Sequence, residues 1–373
     1  MKAFSVFLSA LVLFVFYSVS PAAAAEKSLD LYYLDDVDYD HWAYERLERF
    51  LYADLIDGYI ETEKYEEDGE EYEYSYVSIK PNNPITRAEF TKILVNAMNL
   101  SAKGKGKSFP DVKSTNWFYN YVSVASSNGI INGKTDGSFK PNDKITREEI
   151  TAMIYRAFKN SIDFSATGKA FSDVSSKSFA YEAIQKTAAA GIIEGYGNGF
   201  RPYNNATRAE AITMVDRALH QEIGTAADQQ VVAQIVDRNI TDEMKFTEEQ
   251  DFESLEALYH ETTIGYYLAL SLESIYMNEL EEDPDTTFTI EQVGEHTIQA
   301  SSVNKNFAQV RIEDLCYDVS MTTSKMSFSM TMDLSGTAYL KKSTDGKWKI
   351  YNVVFDEDIY DQGIEEALMT EID

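Results

Sequence analysis

The chain has 373 residues, 44% of them hydrophobic, which is enough for two or three domains. Its 62 acidic side chains outnumber 33 basic ones, for a formal charge of -29. That balance argues against nucleic acid as a partner and against nonspecific attraction to an anionic polymer, so any anionic ligand has to be held by local cationic pockets.

The N-terminus has the three parts of a secretory signal: Lys2, an apolar run over 4–19, and Pro21-Ala22-Ala23-Ala24-Ala25. Cleavage is expected just before Ala25 or Glu26. The run is shorter than the roughly 20 residues a spanning helix needs. No stable membrane insertion is therefore expected after cleavage of residues 1–25. Removing that segment takes away only Lys2 and shifts the charge from -29 to -30.

From residue 30 to about 220 one unit is written three times. Asp36, Asp111 and Asp173 lie six residues before Trp42, Trp117 and Phe179, and these aromatics lie sixteen residues before Gly58, Gly133 and Gly195. Lys80-Pro81, Lys140-Pro141 and Arg201-Pro202 follow, each proline six residues before Arg87, Arg147 or Arg208. Only the glycine-to-arginine gap varies, at 29, 14 and 13 residues, so the first unit carries an insert.

Each unit reads as helix, glycine turn, helix. In the second unit a helix beginning near Asn116 aligns Trp117, Tyr121, Val124 and Ala125 on one apolar face and ends at Asn128-Gly129. Gly133 then supplies a turn that accepts positive φ. Thr86-Arg87-Ala88-Glu89, Thr146-Arg147-Glu148-Glu149 and Thr207-Arg208-Ala209-Glu210 announce the next helix as capping boxes, each worth about 1 kcal/mol. The arginine sits against the helix dipole in all three, which invites a functional reading.

These motifs resemble the S-layer homology family. The matches include Phe109-Pro110-Asp111-Val112, Trp117, Gly129-Ile130-Ile131-Asn132-Gly133, Phe139-Lys140-Pro141 and Ile145-Thr146-Arg147-Glu148-Glu149. The third unit matches through Phe171-Ser172-Asp173-Val174, Gly191-Ile192-Ile193-Glu194-Gly195 and Ala206-Thr207-Arg208-Ala209-Glu210. The resemblance implies repeats at 30–100, 105–160 and 167–220, packed as an all-α pseudo-threefold bundle. It also implies a ligand: secondary cell-wall polysaccharide, often pyruvylated, bound in grooves between repeats. By that likeness Arg87, Arg147 and Arg208 hold the carboxylate, with Lys80, Lys140 and Arg201 beside them. Asp36, Asp111 and Asp173 accept sugar hydroxyls or orient the arginines; Trp42, Trp117 and Phe179 stack on sugar; Gly58, Gly133 and Gly195 let backbone approach. Structural salt bridges between each arginine and its repeat aspartate are the competing account. If binding is the role, Arg147→Ala weakens wall binding and leaves the melting temperature nearly unchanged.

The departures are informative. Phe179 replaces a tryptophan, Ala206 an isoleucine, and Asp54 stands where Gly129 and Gly191 stand, so one groove is expected to be weaker. The insert, 61–76, has eight carboxylates against Lys64 alone. Its Asp68-Gly69 centre and the alternation Tyr72, Tyr74, Tyr76 predict an acidic surface β-hairpin.

Past Gly224 the pattern changes, and residues 226–373 read as a separate domain that folds alone. Val232, Ile235, Val236 and Ile240 recur at helical spacing; Phe252, Leu255, Leu258, Tyr259 and Thr262 lead a second, longer helix. Met326, Phe328, Met330, Met332 and Leu334 then alternate, and Asp345-Gly346 turns into a strand over 348–355. Helices followed by four or five antiparallel strands predict an α+β roll, and the last hairpin resembles that of nuclear-transport-factor-like rolls. The methionines read as core filler, with a ligand-pocket lining as the other reading. Cys316 reads as a buried small hydrophobe.

His260 and His296 lack metal-ligand spacing, and Asp283 and Asp285 lack the further oxygens of a calcium loop. No nucleophile, phosphate-loop or zinc signature occurs. The expectation is a secreted, noncatalytic, cofactor-free protein of the bacterial cell surface, anchored by its repeats and displaying a C-terminal domain whose partner is unknown. The alternative is a wall-attached enzyme whose catalytic module is the roll.

Overall fold

The computed structural model describes residues 27–67, 70–168, 170–280, 287–322, 326–356 and 370–371. The signal-like segment 1–25, the Asp68-Gly69 turn and the loop of Asp283 and Asp285 lie outside them. Each repeat contributes two helices: α1 (Tyr44–Tyr52) and α2 (Arg87–Ala97), α3 (Tyr119–Ser127) and α4 (Arg147–Phe158), α5 (Tyr181–Ala189) and α6 (Arg208–Leu219). The helices α2, α4 and α6 all start where the capping boxes predict. In each box the threonine hydroxyl accepts the glutamate N–H and the glutamate reaches back to the threonine N–H.

The three repeats close into a ring through the residues just before these boxes. Ile145 N donates to Ile85 O at 3.0 Å, Ala206 N to Ile145 O at 3.0 Å, and Ile85 N to Ala206 O at 3.1 Å. Helix α2 packs on α3, α4 on α5, and α6 back on α1, so each repeat borrows its neighbour's first helix. Phe90, Ile150, Ile212, Phe139 and Phe200 fill the common core. In the second repeat the apolar face shifts in part from the expected one. Ala125 is buried as expected and Tyr121 and Val124 are half-buried against the core, but Trp117 precedes α3 and is exposed, and Phe118 and Val122 are buried as well.

The expected all-α bundle is overturned by the first repeat. Between α1 and α2 the chain forms an antiparallel hairpin, β1 (Tyr59–Glu67) and β2 (Glu70–Ser78), paired from Tyr59↔Ser78 to Glu67↔Glu70. The hairpin predicted over 61–76 is thus present and its pairing extends to Tyr59 and Ser78, so the repeat region itself contains a sheet.

The C-terminal part also departs from the expected single roll. Among the described residues it has three helices, α7 (Ala226–Glu249), α8 (Phe252–Thr262) and α9 (Tyr266–Leu280). Helix α8, expected to be the longer, has 11 residues against 24 for α7, because the chain is extended at Thr263 and Gly265 takes a φ of 64°. The strands are β3 (Thr287–Val293), β4 (Thr297–Val303), β5 (Phe307–Glu313), β6 (Cys316–Thr322), β7 (Met326–Asp333), β8 (Gly336–Lys342), β9 (Trp348–Phe355) and β10 (Thr370–Glu371). They form two four-stranded antiparallel sheets, ordered β10-β7-β6-β3 and β4-β5-β8-β9. Val232 and Val236 of α7 pack with Val310, Leu340, Ile350 and Met332, which makes the buried methionine core filler. Cys316, at the start of β6, is only half-buried rather than buried.

The two parts share a core. Phe307 and Tyr351 of the second sheet are buried in the repeat cluster, and a Cβ on Gly265 would lie 2.0 Å from Tyr52 O of α1. If residues 226–373 fold alone, as the change of pattern at Gly224 predicts, they expose these rings to water.

Candidate functional site

The three repeat arginines are buried, between 3% and 5% exposed, and each reaches across a repeat boundary. Arg87 Nε donates to Phe139 O at 2.9 Å, Arg147 Nε to Phe200 O at 3.0 Å and Arg208 Nε to Ile79 O at 2.7 Å. Their Nη1 atoms meet the capping-box glutamate of the next repeat: Glu149 at 3.3 Å, Glu210 at 2.8 Å and Glu89 at 3.5 Å. Each glutamate thus caps its own helix with one oxygen and receives the preceding repeat's arginine with the other. The arginine against the dipole has its explanation here: a carboxylate from the neighbouring helix start neutralises it.

The repeat aspartates do not pair with these arginines. Asp111 takes Phe139 N at 2.8 Å and Lys140 N at 2.7 Å; Asp36 takes Ile79 N and Lys80 N, and Asp173 takes Phe200 N and Arg201 N, all within 2.7 Å. Those bonds hold Lys80, Lys140 and Arg201 at φ of 54°, 60° and 59°, a left-handed conformation uncommon outside glycine. Burial would raise the Asp111 carboxyl, but the two N–H donors outweigh it and hold it below its usual range.

The glycines serve packing as well as the turn. Gly133 has a φ of 80°, and a Cβ there would stand 2.6 Å from the Phe109 ring and 2.9 Å from Ser138 O. The close approach is made by its own repeat's phenylalanine, as Phe171 does at Gly195. Gly133→Ala is expected to cost about 1–3 kcal/mol of stability through strain and overpacking. Denaturant unfolding that gave wild-type stability would refute this role.

Trp42, Trp117 and Phe179 remain more than half exposed. Trp117 lines a cleft of about 210 Å³ with Gly58, Tyr59, Lys92, Glu89 and Arg208, so all three repeats contribute to one groove. The residue after each glycine, which single-repeat reading passed over, sets the groove's character. Tyr59 donates to Glu89 Oε1 at 2.5 Å, Tyr196 to Glu210, and Lys134 pairs with Glu149. Burial raises the Glu149 carboxyl, and Lys134, Arg87 and the Thr146 N–H together bring it below its usual value. The Arg147 guanidinium also lies 5.0 Å from the Tyr196 ring centre, and that of Arg201 lies 4.1 Å from it.

In the C-terminal part, Glu243 is buried beside Tyr267 and Tyr317 and bonded by Tyr259; burial pushes its carboxyl far above the usual range. His296 contacts Asp237 at 3.3 Å and Gln292 at 3.0 Å, and His260 lies 3.7 Å from Glu256. No cluster of potential metal ligands occurs among the described residues.

A family model, S-layer homology domain, matches residues 108–151 and 170–212. The chain is similar over 56% of its length to an endoglucanase of Bacillus sp. (strain KSM-635), at 29% identity and covering 21% of that protein. It is 30% identical to a cellulosome-anchoring protein of Acetivibrio thermocellus over 38% of this chain and 33% of that one. A surface layer protein of Brevibacillus choshinensis is 43% identical over 20% of this chain and 7% of its own. The chain thus spans a third or less of each of these relatives, and the model's matches fall on the second and third repeats. The first repeat, with its hairpin and Asp54, completes the same ring in space. The ring of crossed arginines and capping glutamates is therefore built by a chain that carries S-layer homology domains at residues 108–151 and 170–212.

Proposed function

We propose that the repeats anchor this protein noncovalently to the bacterial cell wall by binding acidic, pyruvylated units of a secondary cell-wall polysaccharide, and so display residues 226–373 at the surface. The observation that carries this reading is a local clustering of cations in a strongly acidic chain. Beside the Arg87–Glu149 pair stands a second cation, Lys134, and beside Arg147–Glu210 stands Arg201 over Tyr196. Around each of these two capping-box glutamates stand two cations, and at the first Lys134 also faces Glu148. The planar carboxylate of an acidic ketal fits such a place, with the rim cation to pair with it and an exposed aromatic ring to stack on the sugar. The names of the relatives, which include a cellulosome-anchoring protein and a surface layer protein, point the same way.

The buried arginines are the frame of each groove, and the rim cations are the groups to test. In the full chain, Lys134→Ala combined with Arg201→Ala is expected to abolish most co-sedimentation with purified cell wall, with little change in melting temperature. Raising salt is expected to weaken wild-type binding for the same electrostatic reason. Wall binding that survives the double substitution, or that is equal on polymer stripped of its ketals, overturns the proposal.

A further inference from the structure

The groove lined by Tyr59 and Trp117 differs from the other two. Every cation in it meets a carboxylate: Arg208 with Glu89, Lys92 with Asp57, and at its edge Lys80 with Glu61 at 2.6 Å. It is electrically balanced, and an acidic sugar finds no spare positive charge there.

The hairpin starts in this groove. Tyr59 is both a lining residue and the first residue of β1. The pairing Glu61↔Tyr76, Glu63↔Tyr74 and Tyr65↔Tyr72 places Tyr59, Tyr65, Tyr72, Tyr74 and Tyr76 on one face, since directly paired residues point the same way. Tyr65 stacks on Tyr72 at 5.4 Å between centroids, and Tyr74 on Tyr76 at 5.9 Å. Tyr65 and Tyr72 are 51% and 42% exposed. From Tyr59 to Tyr65 the strand advances about 20 Å. One stacked pair is enough to stabilise a hairpin; a tyrosine face that runs from a groove to its far end also offers a continuous surface.

We propose that the balanced groove and the tyrosine face of the hairpin form one strip that binds uncharged pyranose units of the wall polysaccharide. This rests on the anchoring reading above and extends it: acidic units dock at the two cationic grooves, and uncharged units of the same chain lie along the strip. Tyrosine supplies a rigid ring with an apolar face and a polar edge at low entropic cost, which suits the apolar face and hydroxyl rim of a pyranose. Glu61 and Glu63, on the same face, already receive the Tyr76 hydroxyl and, at Glu61, Lys80, and their remaining lone pairs accept hydrogen bonds from sugar hydroxyls. Together with the acidic strand ends they repel further acidic units, so the strip selects by charge as well as by shape.

The test uses the full chain and wall polysaccharide released from purified sacculi, separated into long chains and short fragments, with affinity read by titration calorimetry. Tyr65→Ser with Tyr72→Ser is expected to weaken binding of long chains about tenfold, a change of about 1.4 kcal/mol, and to leave short fragments unaffected. Lys64→Ala with Glu73→Ala removes a cross-strand pair on the opposite face and is expected to bind long chains as wild type does. Equal affinity of the tyrosine variant for long chains overturns the strip. So does an equal loss in the Lys64 and Glu73 variant, which would assign the effect to fraying of the hairpin. If the tyrosine variant fails while the Lys134 and Arg201 variant still loses wall binding, anchoring stands without the strip; if wild type binds no polymer, both fall.

Discussion

Arg147→Ala is expected to lower the melting temperature of the full chain by on the order of 10 °C, at about 2–4 °C per kcal/mol for a unit of this size. The side chain is 4% exposed and spends three donors on the third repeat: Nε on Phe200 O, Nη1 on Glu210 and Nη2 on Glu194 O. Truncation leaves a carboxylate, itself only 15% exposed, without its cation, together with two carbonyls that lose their donors. Breaking one side of such a pair costs about 3–5 kcal/mol. The motif alone predicts the opposite, an unchanged melting temperature with lost wall binding, because a single repeat shows the arginine at an exposed helix start. The ring buries it. A thermal scan in which Arg147→Ala melts within about 2 °C of wild type would refute the frame role, since that is below the shift of even 1 kcal/mol. Lys134→Ala is the control: its ammonium is one third exposed, and rim pairs of this kind contribute about 0–1 kcal/mol.

What the sequence showed and what it hid divide along chain distance. Capping boxes at Thr86, Thr146 and Thr207 are local, and all three appear where the threonine and glutamate stand. The strand over 348–355 and the turn at Asp345-Gly346 are likewise local, and β9 (Trp348–Phe355) matches them. The partner of each arginine is not local. Glu149 is 62 residues from Arg87, and only ring closure brings them together. The same distance explains the aspartates, whose hydrogen bonds reach backbone 27 to 44 residues on. Helix α9 escaped because its sequence is apolar without a clear 3.6-residue stripe, and β4 because its alternation mixes Ser, Gln and Thr with Ile and Val. The rim cations Lys134 and Arg201 were visible as letters, yet their meaning depends on which carboxylates stand beside them in space.

Lys341→Met is expected to stabilise the full chain at neutral pH and to remove a rise in stability that wild type shows as the solution becomes alkaline. Lys341 lies on β8, where the second sheet meets the repeats, and its ammonium donates to Ala53 O at the end of α1 at 2.5 Å. Burial lowers its pKa from 10.5 to about 8, and attraction from Asp54 only partly opposes this. Below about pH 8 the group is charged both folded and unfolded, and the folded state bears the full desolvation penalty. Between about 8 and 10.5 the folded chain releases the proton while the unfolded chain keeps it, so the unfolded state binds more protons and stability rises with pH. The difference corresponds to about 3 kcal/mol over that window. Burial raises the tyrosines Tyr52 and Tyr351 on the same interface, and their sign is opposite: above pH 10 they ionise first in the unfolded chain and pull stability down. The variant must therefore be compared with wild type at each pH. Urea unfolding of both proteins at pH 7 and pH 10 is expected to show the stabilisation by methionine shrinking by a few kcal/mol. A pH-independent difference between the two would mean that Lys341 keeps an ordinary ammonium in the fold, and that the repeats and the second sheet meet less tightly than their shared core indicates.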